Sequence, residues 1–275
     1  MRLLTVSIAA GLALAAGAAQ AASVEVKDAV VRVVVIPEAR SDIKVEVLTR
    51  HPNLPLEVRT HGDRVVVDGG LDRRIRSCHG AAGKASVTVS GMGDVDWDEM
   101  PQIVIRTPKD TVLQTGGAVF GSIGRTQSLE FSNAGCGDWT VANVQGKLRF
   151  NQAGSGDARM GSAGEASVRI AGSGDVDLQV VRGRLEVDLA GSGDVDVAQA
   201  AGPVDVKIAG SGDVKVGSGS AGDLTVTVAG SGNVDFDATA RSLKARVVGS
   251  GDVRVKAVTG TVEKTVLGSG AVRIG

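Results

Sequence analysis

The chain has 275 residues, with 30 basic and 31 acidic side chains and a formal net charge of −1 at pH 7. This balance argues against a nucleic-acid partner, which would call for a basic face. Glycine is abundant, at 39 residues, whereas Phe and Trp together number six and Tyr is absent. We therefore expect a narrow interior filled by aliphatic side chains.

Residues 1–21 have the pattern of a secretory signal peptide. Arg2 precedes an apolar run over residues 3–19, and Ala19-Gln20-Ala21 has the form of a cleavage site. A membrane anchor is the alternative, but this run of mostly Ala and Gly is short for a span of roughly 20 residues. We predict an exported protein, periplasmic or at the outer envelope or cell surface, with no transmembrane segment after cleavage.

Residues 22–82 are predicted to form a strand-rich N-terminal cap. Strand patterns cover residues 24–36, 43–48, 56–59 and 65–67.

The repeat solenoid is predicted to occupy residues 83–275, as one domain with the cap. Residues 85–97 match the template of the later repeats and are expected to form its first coil. Pro101 and Pro108 cannot serve central positions of a β-ladder, so we expect a protruding loop there and one distorted coil around residues 113–119.

A phrase of the form Ala-Gly-Ser-Gly-Asp-Val recurs along the second half of the chain. Its equivalent positions are separated by 19, 18, 19, 19, 20, 19 and 19 residues. Such a short period is typical of stacked identical units rather than of a conventional globular core. The aspartate position is occupied in turn by Asp138, Asp157, Asp175, Asp194, Asp213, Asn233, Asp252 and Ala271.

Each repeat also carries the period-two pattern of a strand. Leu185, Val187 and Leu189 alternate with Glu186 and Asp188. In a parallel solenoid every residue stacks on its own equivalent, so one template satisfies every layer. Hairpins of an antiparallel barrel or sandwich would need two templates. We predict an all-β chain, a parallel β-solenoid with coils of about 19 residues.

The repeated A-G-S-G-D-V follows V-x-V-x-I, behind a signal peptide and a strand-rich entry. In this it resembles the bacterial family described as putative auto-transporter adhesin, head GIN domain. The resemblance covers residues 24–275. It implies a right-handed β-helix in the cell envelope and brings no catalytic residues. The sequence departs from the repeat at Asn233, at Ala271 and at Cys136, which replaces the serine.

The repeated aspartates are the pattern most easily taken for a site. Carboxylates stacked ~4.8 Å apart repel one another, and we expect the backbone N–H groups of each aspartate's own Gly-Ser-Gly turn to compensate. A calcium-binding Gly/Asp-rich roll is the alternative. Its nonapeptide places the aspartate one residue later and repeats at a shorter period, so we predict a structural ladder and no metal.

Two cysteines, Cys78 and Cys136, make an even count in an exported protein and are the disulfide candidates. The sequence leaves open whether they are bonded. His51, His61 and His79 fit no metal-ligand spacing.

A β-helix enzyme that binds or cleaves polysaccharide is a further alternative. Glycoside hydrolysis needs one defined pair of carboxylates, whereas the acids here are repeated. The rings of Phe150, Phe236 and Trp139 are predicted to point inward, where they could not serve as a sugar platform. We therefore predict no catalytic residues.

Two further expectations concern the interior and the last coil. Asn133 and Gln152 occupy equivalent inward positions and should stack as a buried amide ladder. Val272 and Ile274 remain in register, while Lys264 occupies an inward position. We expect this coil to meet another subunit or a partner through its strand edge, or to be kept monomeric by the Lys264 charge.

The sequence thus predicts an exported, non-enzymatic β-solenoid without a cofactor. It would bind an envelope protein or a glycan in an adhesion-like manner, or contribute to envelope structure.

Overall fold

The computed structural model of the chain describes residues 22–80 and 83–275. The predicted signal peptide, residues 1–21, lies outside the described residues. Within the described part, no helix has the length and apolar character needed to cross a membrane. Its helical elements are two 3₁₀ turns, Asp72–Arg74 and Trp97–Glu99.

Strands account for most of the described chain. Up to residue 108 they are β1 (Ser23–Glu38), β2 (Lys44–Thr49), β3 (Glu57–His61), β4 (Arg64–Asp68), β5 (Ile75–His79), β6 (Ser86–Val89), β7 (Gly93–Asp96) and β8 (Gln102–Pro108). The later ones are β9 (Asp110–Ile123), β10 (Ser128–Gly135), β11 (Trp139–Val141), β12 (Val144–Gly154), β13 (Ala158–Met160), β14 (Ala163–Gly172), β15 (Val176–Val181), β16 (Leu185–Gly191), β17 (Val195–Ala201), β18 (Val204–Gly210), β19 (Val214–Val216), β20 (Gly219–Gly230), β21 (Val234–Gly249), β22 (Val253–Val258), β23 (Val262–Gly268) and β24 (Val272–Ile274).

Each repeat forms one coil of a parallel stack. Val187 in β16 pairs with Val168 one coil earlier and with Val206 one coil later. We call the sheet before each Gly-Ser-Gly corner the first face, and the sheet after it the second face. The first face contains β10, β12, β14, β16, β18 and β23, together with the later parts of β20 and β21. The second face contains β11, β13, β15, β17, β19, β22 and β24, together with the start of β21. The predicted all-β parallel β-solenoid is confirmed.

The interior consists of aliphatic columns along the stack. Val187, Val206 and Val226 succeed one another in one column, and all three have a relative exposure of 0%. Full burial of one such side chain contributes about 1.5–3 kcal/mol, so the same small gain is repeated in every layer. The outward neighbours in these strands are polar, charged or alanine, as the period-two pattern predicted.

The N-terminal strands take part in the same stack. β1 pairs in parallel with β9 on one side and with both β4 and β8 on the other. β4 and β8 come after β1 in the sequence, but in space they form the layer of the stack on the N-terminal side of β1. β2 lies antiparallel on β8, and β3 lies antiparallel on β4, where they cover the N-terminal end. The boundary drawn from the sequence after residue 82 does not coincide with a break in this stack.

The prediction that residues 85–97 form a coil is wrong. β5, β6 and β7 form a separate antiparallel sheet, in which Val87 pairs with Val95. Gly91 and Gly93, with φ of 80° and 86°, reverse the chain locally, and a Cβ atom on Gly93 would meet nothing within 4 Å. No second coil is stacked on this turn. The coil expected around residues 113–119 does exist: β9 runs through it and pairs on both sides.

The antiparallel sheet packs on the outside of the first coils. Phe120, which points away from the main core, contacts Trp97 edge-on at 5.6 Å between ring centroids. Val87 and Val95 belong to the same second hydrophobic cluster. This sheet therefore covers part of the solenoid wall that would otherwise present apolar side chains to water.

Candidate functional site

The corner of each coil is built around two glycines that approach the neighbouring coil closely. Gly191 has a φ of 147°, which side-chain-bearing residues rarely adopt. A Cβ atom on Gly191 would overlap the carbonyl oxygen of Gly172, and one on Gly193 would overlap that of Gly174. The Gly172 carbonyl accepts the Ser192 N–H at 3.0 Å. Only glycine therefore leaves room for the bond that joins successive corners.

The aspartates form a ladder of hydrogen bonds along the stack. Asp175 Oδ1 accepts the backbone N–H of Asp194 at 2.8 Å, and Asp194 Oδ1 accepts that of Asp213 at 2.8 Å. The same bond joins Asp138 to Asp157 and Asp157 to Asp175, each at 3.0 Å. These bonds differ from the prediction in their partner. In each of these bonds the carboxylate accepts from the next coil.

The two departures from aspartate follow from this geometry. Asn233 Oδ1 accepts the Asp252 N–H at 3.0 Å, as a carboxylate would. Asn233 Nδ2 in addition donates to Asp213 Oδ1 at 3.0 Å, a bond that a carboxylate cannot make. Ala271 donates its N–H to Asp252 Oδ1 at 2.8 Å, and its methyl side chain supplies no acceptor.

Arg273 adds a charge to the last rung. Its Nη1 lies 2.6 Å from Asp252 Oδ2. The Arg273 guanidinium, and to a lesser extent the backbone N–H of Ala271, lower the pKa of Asp252 below its ordinary value. Asp252 is therefore held in its charged form more firmly than a free aspartate.

The ladder does not assemble a recognisable metal centre. Among residues 22–80 and 83–275, no group of three or more His, Cys, Asp or Glu side chains is placed to hold a metal ion. His51 lies in an isolated bridge with Leu54, His61 in β3 and His79 in β5. The histidines thus occupy three different elements.

Cys136, which replaces the corner serine, is bonded to Cys78. Cys78 belongs to β5, whereas Cys136 lies in the corner between β10 and β11. The disulfide therefore ties the antiparallel sheet to the wall of the solenoid. This function explains why a cysteine occupies a position that is serine in the later coils.

A polar ladder is buried beneath these early corners. Asn133 Nδ2 donates to Gln152 Oε1 at 3.2 Å, and both side chains are 2% exposed. The amide stack predicted from the sequence is confirmed. It extends to Thr115, whose hydroxyl donates to Asn133 Oδ1 at 2.8 Å. Gln152 Nε2 also donates to the carbonyl of Gly156 at 2.7 Å, so the ladder fixes the corner from inside.

The aromatic rings of the repeats lie in the interior, as predicted. Phe150, Phe236 and Trp139 are at most 2% exposed. Phe131 lies between Trp139, which it contacts edge-on, and Phe150, with centroid distances of 4.8 and 5.2 Å. Phe131, Trp139 and Phe150 fill the early coils, whereas Phe236 lies in the later strand β21. These buried rings present no surface for a sugar.

The outer surface of the second face carries a shallow trough of about 510 Å³. Arg159, Asp177, Asp196 and Lys215 occupy successive rungs of one column along it. Ala198, which is exposed, belongs to its floor. The trough was missed in the sequence because a column of unlike residues leaves no repeated motif.

The outer surface of the first face carries a second trough, of about 580 Å³. Ala171, Ala190 and Ala209 are stacked along it. A column of charged residues runs beside the alanines. There Asp188 bridges Arg169 at 3.1 Å and Lys207 at 3.6 Å.

A match to a known family supports the resemblance seen in the sequence. Residues 177–275 match the family described as putative auto-transporter adhesin, head GIN domain. A crystal structure of a putative cell adhesion protein from Clostridium sporogenes ATCC 15579 shares 11% sequence identity, with 92% of each chain covered and a TM-score of 0.22. No curated protein matches the chain. The family match implies an exported or surface protein and supports a binding or adhesion-like β-solenoid.

Proposed function

We propose that the protein is an exported, non-enzymatic binding module of the cell envelope. Its ligand would be a hydroxyl-rich polymer, a glycan, held in the trough of the second face. The family match supports the adhesion-like class. The observation that carries the choice of site is the row of mixed charges along this trough.

The chemistry of the row suits a neutral polar ligand. Arg159 and Lys215 are basic, Asp177 and Asp196 are acidic, and the closest atoms of Arg159 and Asp177 lie 3.7 Å apart. The opposite charges cancel, so a strongly charged polymer gains little attraction. Guanidinium, ammonium and carboxylate groups supply both donors and acceptors, which hydroxyl groups can match.

The use of the corner aspartates supports a non-enzymatic role. A glycosidase needs one acid and one base or nucleophile with distinct environments. Asp157, Asp175 and Asp194 instead share one environment, since each gives one oxygen to the next coil. These repeated carboxylates are explained by the fold.

Co-sedimentation of the mature chain with insoluble envelope polysaccharide tests the proposal. We expect binding that is lost in Ala198→Arg, where a long side chain would occupy the trough. The matched control is Ala153→Arg on the first face, also at an exposed alanine, which should bind like the wild type. Equal binding by wild type and Ala198→Arg would contradict the assigned site. Release of reducing ends by the wild type would contradict the non-enzymatic role.

A further inference from the structure

The first face carries a charge pattern that changes sign along the stack. Three columns of side chains point outward from this face. The first contains, in successive coils, Glu186, Asp205, Thr225, Lys244 and Glu263. The adjacent column contains, in the same coils, Asp188, Lys207, Thr227, Arg246 and Thr265. One coil therefore presents two carboxylates, and the coil three layers later presents two cations.

Exposed apolar side chains accompany the basic end of this face. In the third outward column, Ala171, Ala190, Ala209 and Ala229 are followed by Val248 and Leu267. Val248 is 39% exposed and Leu267 is 55% exposed. In the earlier coils the alanines of this column form the floor of the trough. Val248 and Leu267 continue the same column in the last two coils and project from the surface.

We propose that two copies of the chain associate through their first faces, side by side and antiparallel, about a two-fold axis. The axis lies between the coil of Asp205 and Lys207 and the coil of Thr225 and Thr227. The axis lies in the interface and runs parallel to the strands, so the rotation reverses the direction of the stack. Each column of one copy then faces the same column of the other copy. The partner is therefore a second copy of this chain.

The charges match under this operation. Glu186 faces Lys244 of the second copy, and Asp188 faces Arg246 of the second copy. Because the axis lies midway between two coils, Asp205 faces Thr225 of the second copy and Lys207 faces Thr227, so neither charged residue lies directly opposite its own equivalent. Complementary charges of this kind select one register among the possible slides of two regular faces.

The shapes match as well. The same operation places Val248 opposite Ala190 and Leu267 opposite Ala171. The two largest exposed side chains of the column thus enter the trough above the smallest ones. Each contact occurs twice, as an isologous interface requires.

The available area is sufficient for a stable dimer. The face is seven residues wide, ~23 Å, and six coils long, ~29 Å, for the usual spacings of a sheet. A contact over this footprint buries roughly 1,300 Å² in total, which exceeds the ~1,000 Å² that a specific interface needs.

Sedimentation analysis of the mature chain tests the dimer. We expect the mass to double with concentration at low salt and to return towards the monomer at high salt, because the selecting contacts are ionic. Val248→Glu and Leu267→Glu change exposed side chains and should each shift the protein to the monomer. Lys215→Glu, on the second face, is the matched control and should dimerise like the wild type.

A charge exchange between two variants tests the register itself. Lys244→Glu with Arg246→Glu, and separately Glu186→Lys with Asp188→Lys, should each be monomeric because like charges meet. Their equimolar mixture should form a heterodimer, since both pairs of contacts then join opposite charges. Thermal melts establish that each variant is folded.

A wild type that remains monomeric at high concentration would overturn the proposal. So would a mixture of two folded variants that stays monomeric. If a charge variant fails to fold, the Val248→Glu result decides: unchanged dimerisation would place the interface elsewhere.

Discussion

Asp194 Oδ1 accepts the backbone N–H of Asp213, 2.8 Å away and one coil later in the sequence. Asp194 donates its own N–H to Asp175 Oδ1 at the same distance. Asp194 is therefore hydrogen-bonded both to the coil before it and to the coil after it. The Asp194 carboxylate resembles a metal ligand in the sequence, but it serves as the acceptor for a backbone N–H of the next coil and so links successive coils.

Removal of this acceptor should destabilise the fold, whereas its conversion to an amide should not. Asp194→Ala leaves the Asp213 N–H without its partner, and we expect a loss of about 1 kcal/mol in the free energy of unfolding. Asp194→Asn keeps an acceptor and removes one like charge from the column, as Asn233 does. Denaturant titration of both variants measures the difference, and equal losses would contradict the ladder.

The corner glycines should be irreplaceable for a steric reason. Gly191→Ala adds a Cβ atom that overlaps the Gly172 carbonyl, at a φ of 147°. We expect a loss of about 2 kcal/mol or more in the free energy of unfolding. Gly222→Ala is the control, because a Cβ atom there meets nothing within 4 Å. A Gly191→Ala melt indistinguishable from that of Gly222→Ala would refute this corner geometry.

Inward and outward positions of the first face should differ strongly in their tolerance of charge. Val206→Asp buries a carboxylate in a column of valines and should lower the free energy of unfolding by several kcal/mol. Thr225→Asp, in the next coil but outward, should change it by less than about 1 kcal/mol. Comparable melting temperatures for the two variants would mean that the register is wrong.

The last rung should make stability sensitive to acid. The pKa of Asp252 is lower in the folded chain than its ordinary value of 3.8, chiefly because of Arg273. The charged Asp252 therefore contributes its full stabilisation of the fold above the ordinary pKa. This contribution is lost as the pH falls through the pKa of Asp252 in the folded chain. Melting temperatures from about pH 5 to pH 2 should fall less steeply for Asp252→Asn than for the wild type. Parallel curves for the two proteins would contradict this role.

Reduction of the disulfide should loosen the antiparallel sheet but not the repeats. Cys78 and Cys136 are 58 residues apart in sequence, and the bond holds β5 against the solenoid wall. After reduction, we expect faster amide exchange in β5, β6 and β7 and unchanged exchange in β16 and β18. Equal protection of β5, β6 and β7 before and after reduction would show that packing alone fixes the sheet.

The repeat coils could be predicted from the sequence because every layer obeys one local pattern. Val187 and Val206 stack simply because equivalent residues pair, and their burial follows from period two. The buried pair of Asn133 and Gln152 could be predicted for the same reason. Outside the repeats this rule failed.

Residues 85–97 match the coil template and yet form a hairpin. Gly91 and Gly93 both have a positive φ, whereas in the corners from Gly154 onward this holds for the first glycine and not for the second. Local sequence cannot reveal that difference, since it depends on whether another coil lies above the turn. The place of β1 within the stack could not be predicted either, because its neighbours β4, β8 and β9 are distant in sequence.

The most direct test of the account compares the melting temperatures of two proteins with and without calcium. Asp157, Asp175, Asp194 and Asp213 are replaced together by asparagine, and the wild type and this variant are heated with and without calcium. If the carboxylates act as backbone acceptors, the variant should fold with an equal or higher melting temperature, and calcium should shift neither protein. A calcium-dependent rise in the wild type that is lost in the variant would contradict the account and identify a metal-binding roll.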